Sequence, residues 1–167
     1  MKLVITGFMG CGKSRIAREL AKRLNLQMID LDDRIRQREG RSAAQLINEE
    51  GEASFRLIET DVLHGLLATN EDCVLALGGG AWIVERNRAL IEQHNFTSIW
   101  LDAPFELCWS RIEASDAERP LGKTRDEAQA RYDRRRPIYQ LAKIHIEVRE
   151  DEDLEDRLAR ISHRLHR

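Results

Sequence analysis

The chain has 167 residues, with 27 Lys and Arg against 29 Asp and Glu, a formal net charge of −2 and a pI near 6.2. That length supports one domain with a full core but not two ordinary ones, and the charge leaves no positive excess with which to bind a nucleic-acid backbone. Cys11, Cys73 and Cys108 lie far apart without C-x-x-C spacing, and no apolar run approaches the roughly 18 residues of a membrane span, so neither a disulfide framework, a zinc site nor a membrane protein is indicated.

The first element is the apolar run Lys2-Leu3-Val4-Ile5-Thr6, which has the length of a buried strand. Met1 leads straight into it without a charged and apolar leader, so a cytoplasmic location is expected. Gly7-Phe8-Met9-Gly10-Cys11-Gly12-Lys13-Ser14 follows and fits the P-loop pattern G-x-x-x-x-G-K-[ST]. Apolar residues at Ile16, Ala17, Leu20, Ala21 and Leu24 predict a helix over 14–24. The glycines therefore sit between a strand and a helix N-terminus, whose first N–H groups lack intrahelical acceptors and suit a phosphate. Gly7, Gly10 and Gly12 let the backbone fold around that phosphate, Lys13 reaches the β/γ oxygens, and Ser14 is a candidate Mg²⁺ ligand. A nucleoside triphosphate is the expected ligand, with a plain glycine turn as the bland alternative.

A short strand is predicted at 27–29, and helical spacing runs over 30–68 with breaks at Gly40 and Gly51. Further strands are expected at 73–77, 97–101 and 144–148, and a closing helix at 154–165. This alternation predicts an α/β fold, a parallel sheet wrapped by helices with ligands outside the carboxyl ends of its strands. Residues 113–127 are charged and weakly periodic and hold Pro120 and Gly122; they read either as a lid or as a solvated surface loop. Gly122-Lys123-Thr124 lacks the upstream glycine and strand of a second phosphate loop.

Several residues could supply chemistry around the triphosphate. Asp30 and Asp32 follow the second strand on the same sheet edge as the P-loop, where one carboxylate could accept a hydroxyl proton and the other support a Mg²⁺ shell through water; Asp30 could instead be only a helix N-cap. Gly78-Gly79-Gly80 ends the third strand and offers bare N–H groups to a substrate. Arg56 has Glu59 three residues on, an ion-pair spacing that would hold its guanidinium in place. Arg134-Arg135-Arg136-Pro137-Ile138-Tyr139 is a richer basic cluster, whose bland alternatives are a charged helix end or a nucleic-acid patch, the latter disfavoured by Asp126, Glu127 and Asp133 nearby. Of the 27 basic residues 22 are Arg, a bias that suits forked recognition of carboxylate and phosphate. Arg119, in the expected lid, could swing over a transferring phosphate and help to exclude water.

Taken in order, the P-loop, Asp30-x-Asp32, Gly51-Glu52-x-x-Phe55-Arg56-x-x-Glu59, Gly78-Gly79-Gly80, Arg119-Pro120-Leu121 and Arg135-x-Pro137-x-Tyr139-x-x-Ala142 resemble the shikimate kinase family over nearly the whole chain. The resemblance implies a three-layer α/β/α P-loop kinase domain over 1–167, with a five-stranded parallel sheet in the order 2-3-1-4-5, a substrate-binding helical region at about 31–60 and a lid at about 113–126. It implies ATP as co-substrate with Mg²⁺, and phosphoryl transfer to the 3-hydroxyl of shikimate. By position, Gly10, Cys11, Gly12, Lys13, Ser14 and Arg15 would surround the nucleotide phosphates, Arg111 would lie beside the adenine, and Arg119 would descend on the phosphates. Asp32 would bind substrate hydroxyls and act as base, with Lys13 and Arg119 as its catalytic partners. Ser14 and Asp30 would serve the metal, Arg56 and Arg135 would clamp the carboxylate, and Gly78, Gly79 and Gly80 would line the substrate. A monomer acting on small molecules, with neither nucleic acid nor membrane as partner, is expected.

The chain departs from the family pattern at Leu31, where a small hydroxyl residue is usual, at Ile47, where an aromatic often lines the substrate pocket, and at Gly122, where a second Leu is common. Glu150-Asp151-Glu152-Asp153 also stands where many members carry Arg or Pro beside the adenine. Competing readings are a kinase of another carboxylated polyol such as a sugar acid, a nucleoside-monophosphate kinase, and a nucleotide-dependent switch. The switch lacks its D-x-x-G and [NT]-K-x-D elements here.

Overall fold

In the computed structural model, which describes residues 1–115 and 124–166, Lys2–Thr6 forms β1 at the centre of a five-stranded sheet. Its neighbours are β3 (Cys73–Ala76) and β4 (Thr97–Asp102), with β2 (Gln27–Asp30) and β5 (Ile144–Glu147) at the edges, giving the order β2-β3-β1-β4-β5. Every pair is parallel: Val4 faces Leu75 on one side and Ser98 on the other, Ile29 faces Leu75, and Leu101 faces Ile146. Parallel strands are covered on both faces, which is why β1 and β3 read as unbroken apolar runs and why Leu3, Val4, Ile5, Val74 and Leu75 are all buried. Each such side chain contributes roughly 1.5–3 kcal/mol of transfer free energy. Edge strand β5 instead alternates, with Ile146 buried and His145 and Glu147 exposed.

The helices around the sheet are α1 (Lys13–Leu24), α2 (Leu31–Glu39), α3 (Ala43–Glu50), α4 (Glu52–Ala68), α5 (Glu85–Gln93), α6 (Phe105–Glu113), α7 (Arg125–Tyr139) and α8 (Leu154–Leu165), with a 3-10 turn at Ala81–Ile83. The breaks expected at Gly40 and Gly51 are real. Gly40 ends α2 in the left-handed region at φ 67°, and Gly51 at φ 88° both closes α3 and opens α4. A capping box marks the start of α3, where the Ser42 hydroxyl accepts from Gln45 N at 3.2 Å and Gln45 Oε1 accepts from Ser42 N at 2.8 Å.

The two ends of the segment expected as a lid, at about 113–126, fall within helices. Glu113 is the last residue of α6, and Arg125 and Asp126 already belong to α7, which Thr124 caps by accepting from Glu127 N at 3.3 Å. Its interior, 116–123, lies outside the described residues, as does Arg119. Among the described residues no helix is long and apolar enough to cross a membrane. β1, β2 and β3 end side by side, so the P-loop, Asp30 and Gly78 open on one sheet edge; Leu77 N still donates to Ile5 O at 3.0 Å there.

Candidate active site

The P-loop glycines are demanded by the backbone. Gly10 has φ 80°, and a Cβ there would stand 2.5 Å from the Cys108 carbonyl oxygen in α6. Gly12 sits in the left-handed region at the head of α1, which has no side-chain cap, so the first N–H groups of that helix face the cleft without a protein acceptor of that kind. The Lys13 ammonium folds back over the loop and donates to the carbonyls of Gly7 at 3.0 Å and Phe8 at 2.9 Å. A cleft of about 410 Å³ is lined here by Gly10, Gly12, Lys13, Ser14, Arg15, Asp30, Asp32, Gly78 and Gly79, together with Met9 and Leu77. Strand-end, glycine-loop and α2 residues distant in sequence thus share one cavity.

Asp30 caps its helix and also reaches the phosphate loop. Its Oδ1 accepts from Asp32 N at 3.0 Å and caps α2, while its Oδ2 accepts from the Ser14 hydroxyl at 2.7 Å. The Ser14 hydroxyl and Asp30 carboxylate form a hard-oxygen pair at the foot of the phosphate loop, a donor set that fits Mg²⁺, which takes few protein ligands and keeps waters and phosphate oxygens. Asp32, one residue into α2, points at Gly78, where an added Cβ would lie 2.9 Å from Asp32 Oδ1 and 3.3 Å from Glu59 Oε1. Gly78 thereby gives two carboxyl groups room beside the strand end. Burial raises the Asp32 pKa and the Asp30 carboxylate adds to this, while Lys13 and Arg56 oppose it. A base with a pKa nearer neutrality is better matched to taking a hydroxyl proton.

Arg56 projects from α4 into the same region. Its Nη1 donates to Glu59 Oε2 at 2.6 Å and its Nη2 to Glu52 Oε1 at 3.3 Å, and its guanidinium lies 5.1 Å from the Phe55 ring centroid. Glu59 is fully buried, its other oxygen has no hydrogen-bond partner, and burial pushes its pKa up to about 7 against the pull of Arg56. Gly80 is what admits this guanidinium: a Cβ at Gly80 would lie 2.5 Å from Arg56 Cζ and 2.7 Å from Nη1.

From the other side, α7 delivers Arg135. Its Nη1 donates to the Gly79 carbonyl at 3.1 Å, and the buried Tyr139 hydroxyl donates to the same oxygen. The next residue points elsewhere: Arg136 Nη2 donates to Asp102 Oδ2 at 2.8 Å and the guanidinium sits 5.5 Å from the Trp100 ring centroid. The register of α7 therefore separates Arg135 from Arg136, a choice that the sequence left open. Arg135 faces Gly79, with the charges of Arg131 and Arg56 near enough to add to the burial that lowers its pKa.

Arg111, from α6, donates through Nη1 to Gly10 O at 3.1 Å and so braces the P-loop from outside. Cys11 is buried under the loop and Arg15 is exposed on the first turn of α1. After β5, the acidic run is turned inward at Glu152, which accepts from Arg157 Nε at 3.1 Å and from Arg160 Nη2 at 2.9 Å of α8. Two partners were not singled out from the sequence as working groups, the Tyr139 hydroxyl on Gly79 and the Glu152 pair with α8. Tyr139 lay within the Arg135-x-Pro137-x-Tyr139 signature, whereas Glu152 carries no local signal.

Around one cleft the chain thus assembles a phosphate loop, a hydroxyl and carboxylate pair and a second carboxylate with a raised pKa, and beside it the guanidiniums of Arg56 against Gly80 and Arg135 against Gly79. That set can orient a triphosphate, take a proton from a hydroxyl and hold a small anion. The shikimate kinase family model matches residues 9–166. A shikimate kinase of Salinibacter ruber is 38% identical over 96% of this chain and 82% of its own length, and one of Nostoc punctiforme is 38% identical over 96% and 88%. The structure of a shikimate kinase from Acinetobacter baumannii in complex with shikimate superimposes with a TM-score of 0.90 at 29% identity, covering 99% of this chain and 92% of that one. With its fold, cleft and relatives in agreement over almost the whole length, the chain belongs to the shikimate kinase family.

Proposed function

We propose that the protein transfers the γ-phosphoryl group of ATP to the 3-hydroxyl of shikimate. The observation that carries this reading is the convergence of Asp32, Gly78, Arg56 and Arg135 beside the P-loop, on a sheet edge where a hydroxylated carboxylate fits between a base and two guanidiniums. The loop N–H groups of 10–15 and Lys13 cradle the triphosphate, and Lys13 exchanges its carbonyl acceptors for phosphate oxygens when nucleotide binds. Asp32 accepts the proton of the attacking hydroxyl; no covalent intermediate with the protein is needed, because positioning and charge neutralisation supply most of the acceleration in this reaction class.

Arg56 and Arg135 hold the carboxylate from opposite walls, and Glu59 keeps Arg56 pointed inward. Ser14 and Asp30 would hold Mg²⁺, which would neutralise charge on the β- and γ-phosphates. Arg119, outside the described residues, would neutralise charge on the phosphates, and Arg111, which holds the Gly10 carbonyl, would serve the adenine side. We assign the enzyme to the cytoplasm as a monomer, with unpaired cysteines in keeping with that compartment.

The test is ADP release with ATP and Mg²⁺, comparing shikimate, quinate, gluconate, AMP and no acceptor. Saturable release that requires shikimate is the expected result. Release that requires gluconate or AMP, or that needs no acceptor, would overturn the substrate assignment.

A further inference from the structure

Arg131 stands on α7 one turn before Arg135 and two turns before Tyr139, the two residues that reach the Gly79 carbonyl. Helical residues four apart share a face, with Cβ atoms about 5–6 Å apart, so Arg131 shares the face that looks toward Gly79. Its Nε is buried without a hydrogen-bond partner, and no ion pair engages its guanidinium among the described residues. The carboxylate one turn earlier on the helix, Glu127, is engaged at the cap of α7, where its Oε2 accepts from Thr124 N at 3.4 Å.

The cations around the site are unequally compensated. Arg56 is ion-paired with Glu59 and Glu52, whereas Arg135 forms no ion pair among the described residues: its close partners are the Gly79 carbonyl and Tyr139, and it feels the Glu59 charge only at longer range. Arg131 has neither, yet its charge is felt at Arg135 beside that of Arg56. Two half-buried guanidiniums on one helix face, neither in an ion pair among the described residues, form an anion site in waiting, because bringing an anion between them removes their mutual repulsion and satisfies the orphaned donor.

We propose that Arg131 is a substrate-binding residue, an arm of the carboxylate grip that acts with Arg135 along α7 while Arg56 faces them from α4. The ligand class is a small monocarboxylate, and the inference rests on the shikimate kinase reading given above. Arg131 adds a charged contact that none of the sequence signatures contains, and it would discriminate the acid from its uncharged analogues.

The experiment begins with wild-type turnover of shikimate, whose absence would refute the underlying reading and so count separately. Arg131→Gln and Arg131→Lys are then compared with wild type for KM and kcat on shikimate, on shikimate methyl ester and on ATP, with melting temperature as a check on folding. Arg131→Gln is expected to raise the shikimate KM about 10-fold or more, the loss typical of one charge-assisted hydrogen bond. In the same variant kcat and the ATP KM stay within about twofold and the ester KM does not change; Arg131→Lys restores part of the acid KM. An equal change for acid and ester, a fall in kcat at constant KM, or an unchanged shikimate KM would each overturn the proposal. Should Arg131→Gln not fold, Arg131→Lys alone decides, by a selective rise in the acid KM or its absence.

Discussion

Gly80→Ala is the most informative single perturbation of the site. Gly80 has φ −109°, a conformation open to any residue, so the substitution introduces no backbone strain and its effect comes from the added methyl alone. That methyl would stand 2.5 Å from Arg56 Cζ and 2.7 Å from Nη1, well inside contact distance. The guanidinium must retreat, but Glu59 and Glu52 hold it on the other side at 2.6 and 3.3 Å. Losing one charge-assisted hydrogen bond to a carboxylate costs about 1.5–3 kcal/mol, and at about 1.4 kcal/mol per tenfold this predicts a rise in shikimate KM of roughly 10- to 150-fold. The assay is coupled ADP release at saturating ATP, with the ATP KM measured in parallel and expected to stay within about twofold, since the P-loop is not displaced. Gly65→Ala is the control: it lies within α4 with nothing within 4 Å of an added Cβ, and it should stabilise the fold by about 0.4–1 kcal/mol without altering kinetics. A folded Gly80→Ala enzyme with unchanged shikimate KM would refute the placement of Arg56 in the carboxylate grip.

Asp32→Asn should lower kcat about 10²- to 10⁴-fold while leaving ATP affinity, read by fluorescence titration or calorimetry, within about threefold, because in the proposed reaction the carboxylate takes the proton and the P-loop binds the nucleotide; equal losses of turnover and ATP affinity would contradict that division. Arg135→Ala should raise the shikimate KM strongly and Arg136→Ala only slightly, since Arg136 is engaged with Asp102 and Trp100; the reverse order would mean that α7 has a different register in solution. Glu59 has its pKa raised to about 7 in the folded state, so more protons are bound there than in the unfolded chain between about pH 4.5 and 7, and its stabilising contribution is lost as pH rises through that window. Denaturant unfolding at pH 5 and pH 7.5 should therefore show a fall in wild-type stability that is smaller in Glu59→Gln; an identical pH dependence in both would refute the assignment.

The parts of the fold legible in the sequence are those where one physical signal dominates. β1 and β3 are covered on both faces and so appear as unbroken apolar runs, while Gly40 and Gly51 stop helices because only glycine takes their left-handed or extended positive-φ geometry cheaply. α8 spans Leu154–Leu165, as its apolar positions at helical spacing predict. α7 is not legible in this way: of its 15 residues only Ala128 and Tyr139 are buried, and Pro137 sits inside it, so neither periodicity nor composition marks a helix. Helices α5 and α6 are outside the expected elements for different reasons: α5 buries only Asn87 and Ile91 of a largely polar segment, whereas α6 carries Phe105, Cys108 and Ile112 at helical spacing, a signal that is present in the sequence.

At the site, spacing brought the P-loop, Asp30, Asp32 and the triple glycine to one sheet edge because all follow the carboxyl ends of parallel strands. Arg56, Glu59, Arg135 and Tyr139 meet there only through tertiary packing of α4 and α7. The choice between Arg135 and Arg136 is a rotation of about 100° around a helix axis, which a charged run of three arginines cannot encode by itself. The unpaired state of Arg131 is less legible still, since Glu127 stands at the ion-pair spacing in sequence and is instead engaged at the cap.

The central claim is that one cleft delivers the γ-phosphoryl group of ATP to one hydroxyl of a small carboxylate, and it is tested most directly by identifying the product. Wild-type enzyme incubated with ATP, Mg²⁺ and shikimate should yield, in ³¹P and ¹H NMR, a phosphate ester whose phosphorus couples to the proton at carbon 3. ADP accumulating without any phosphorylated shikimate, or with the phosphate on a different hydroxyl, would contradict the account.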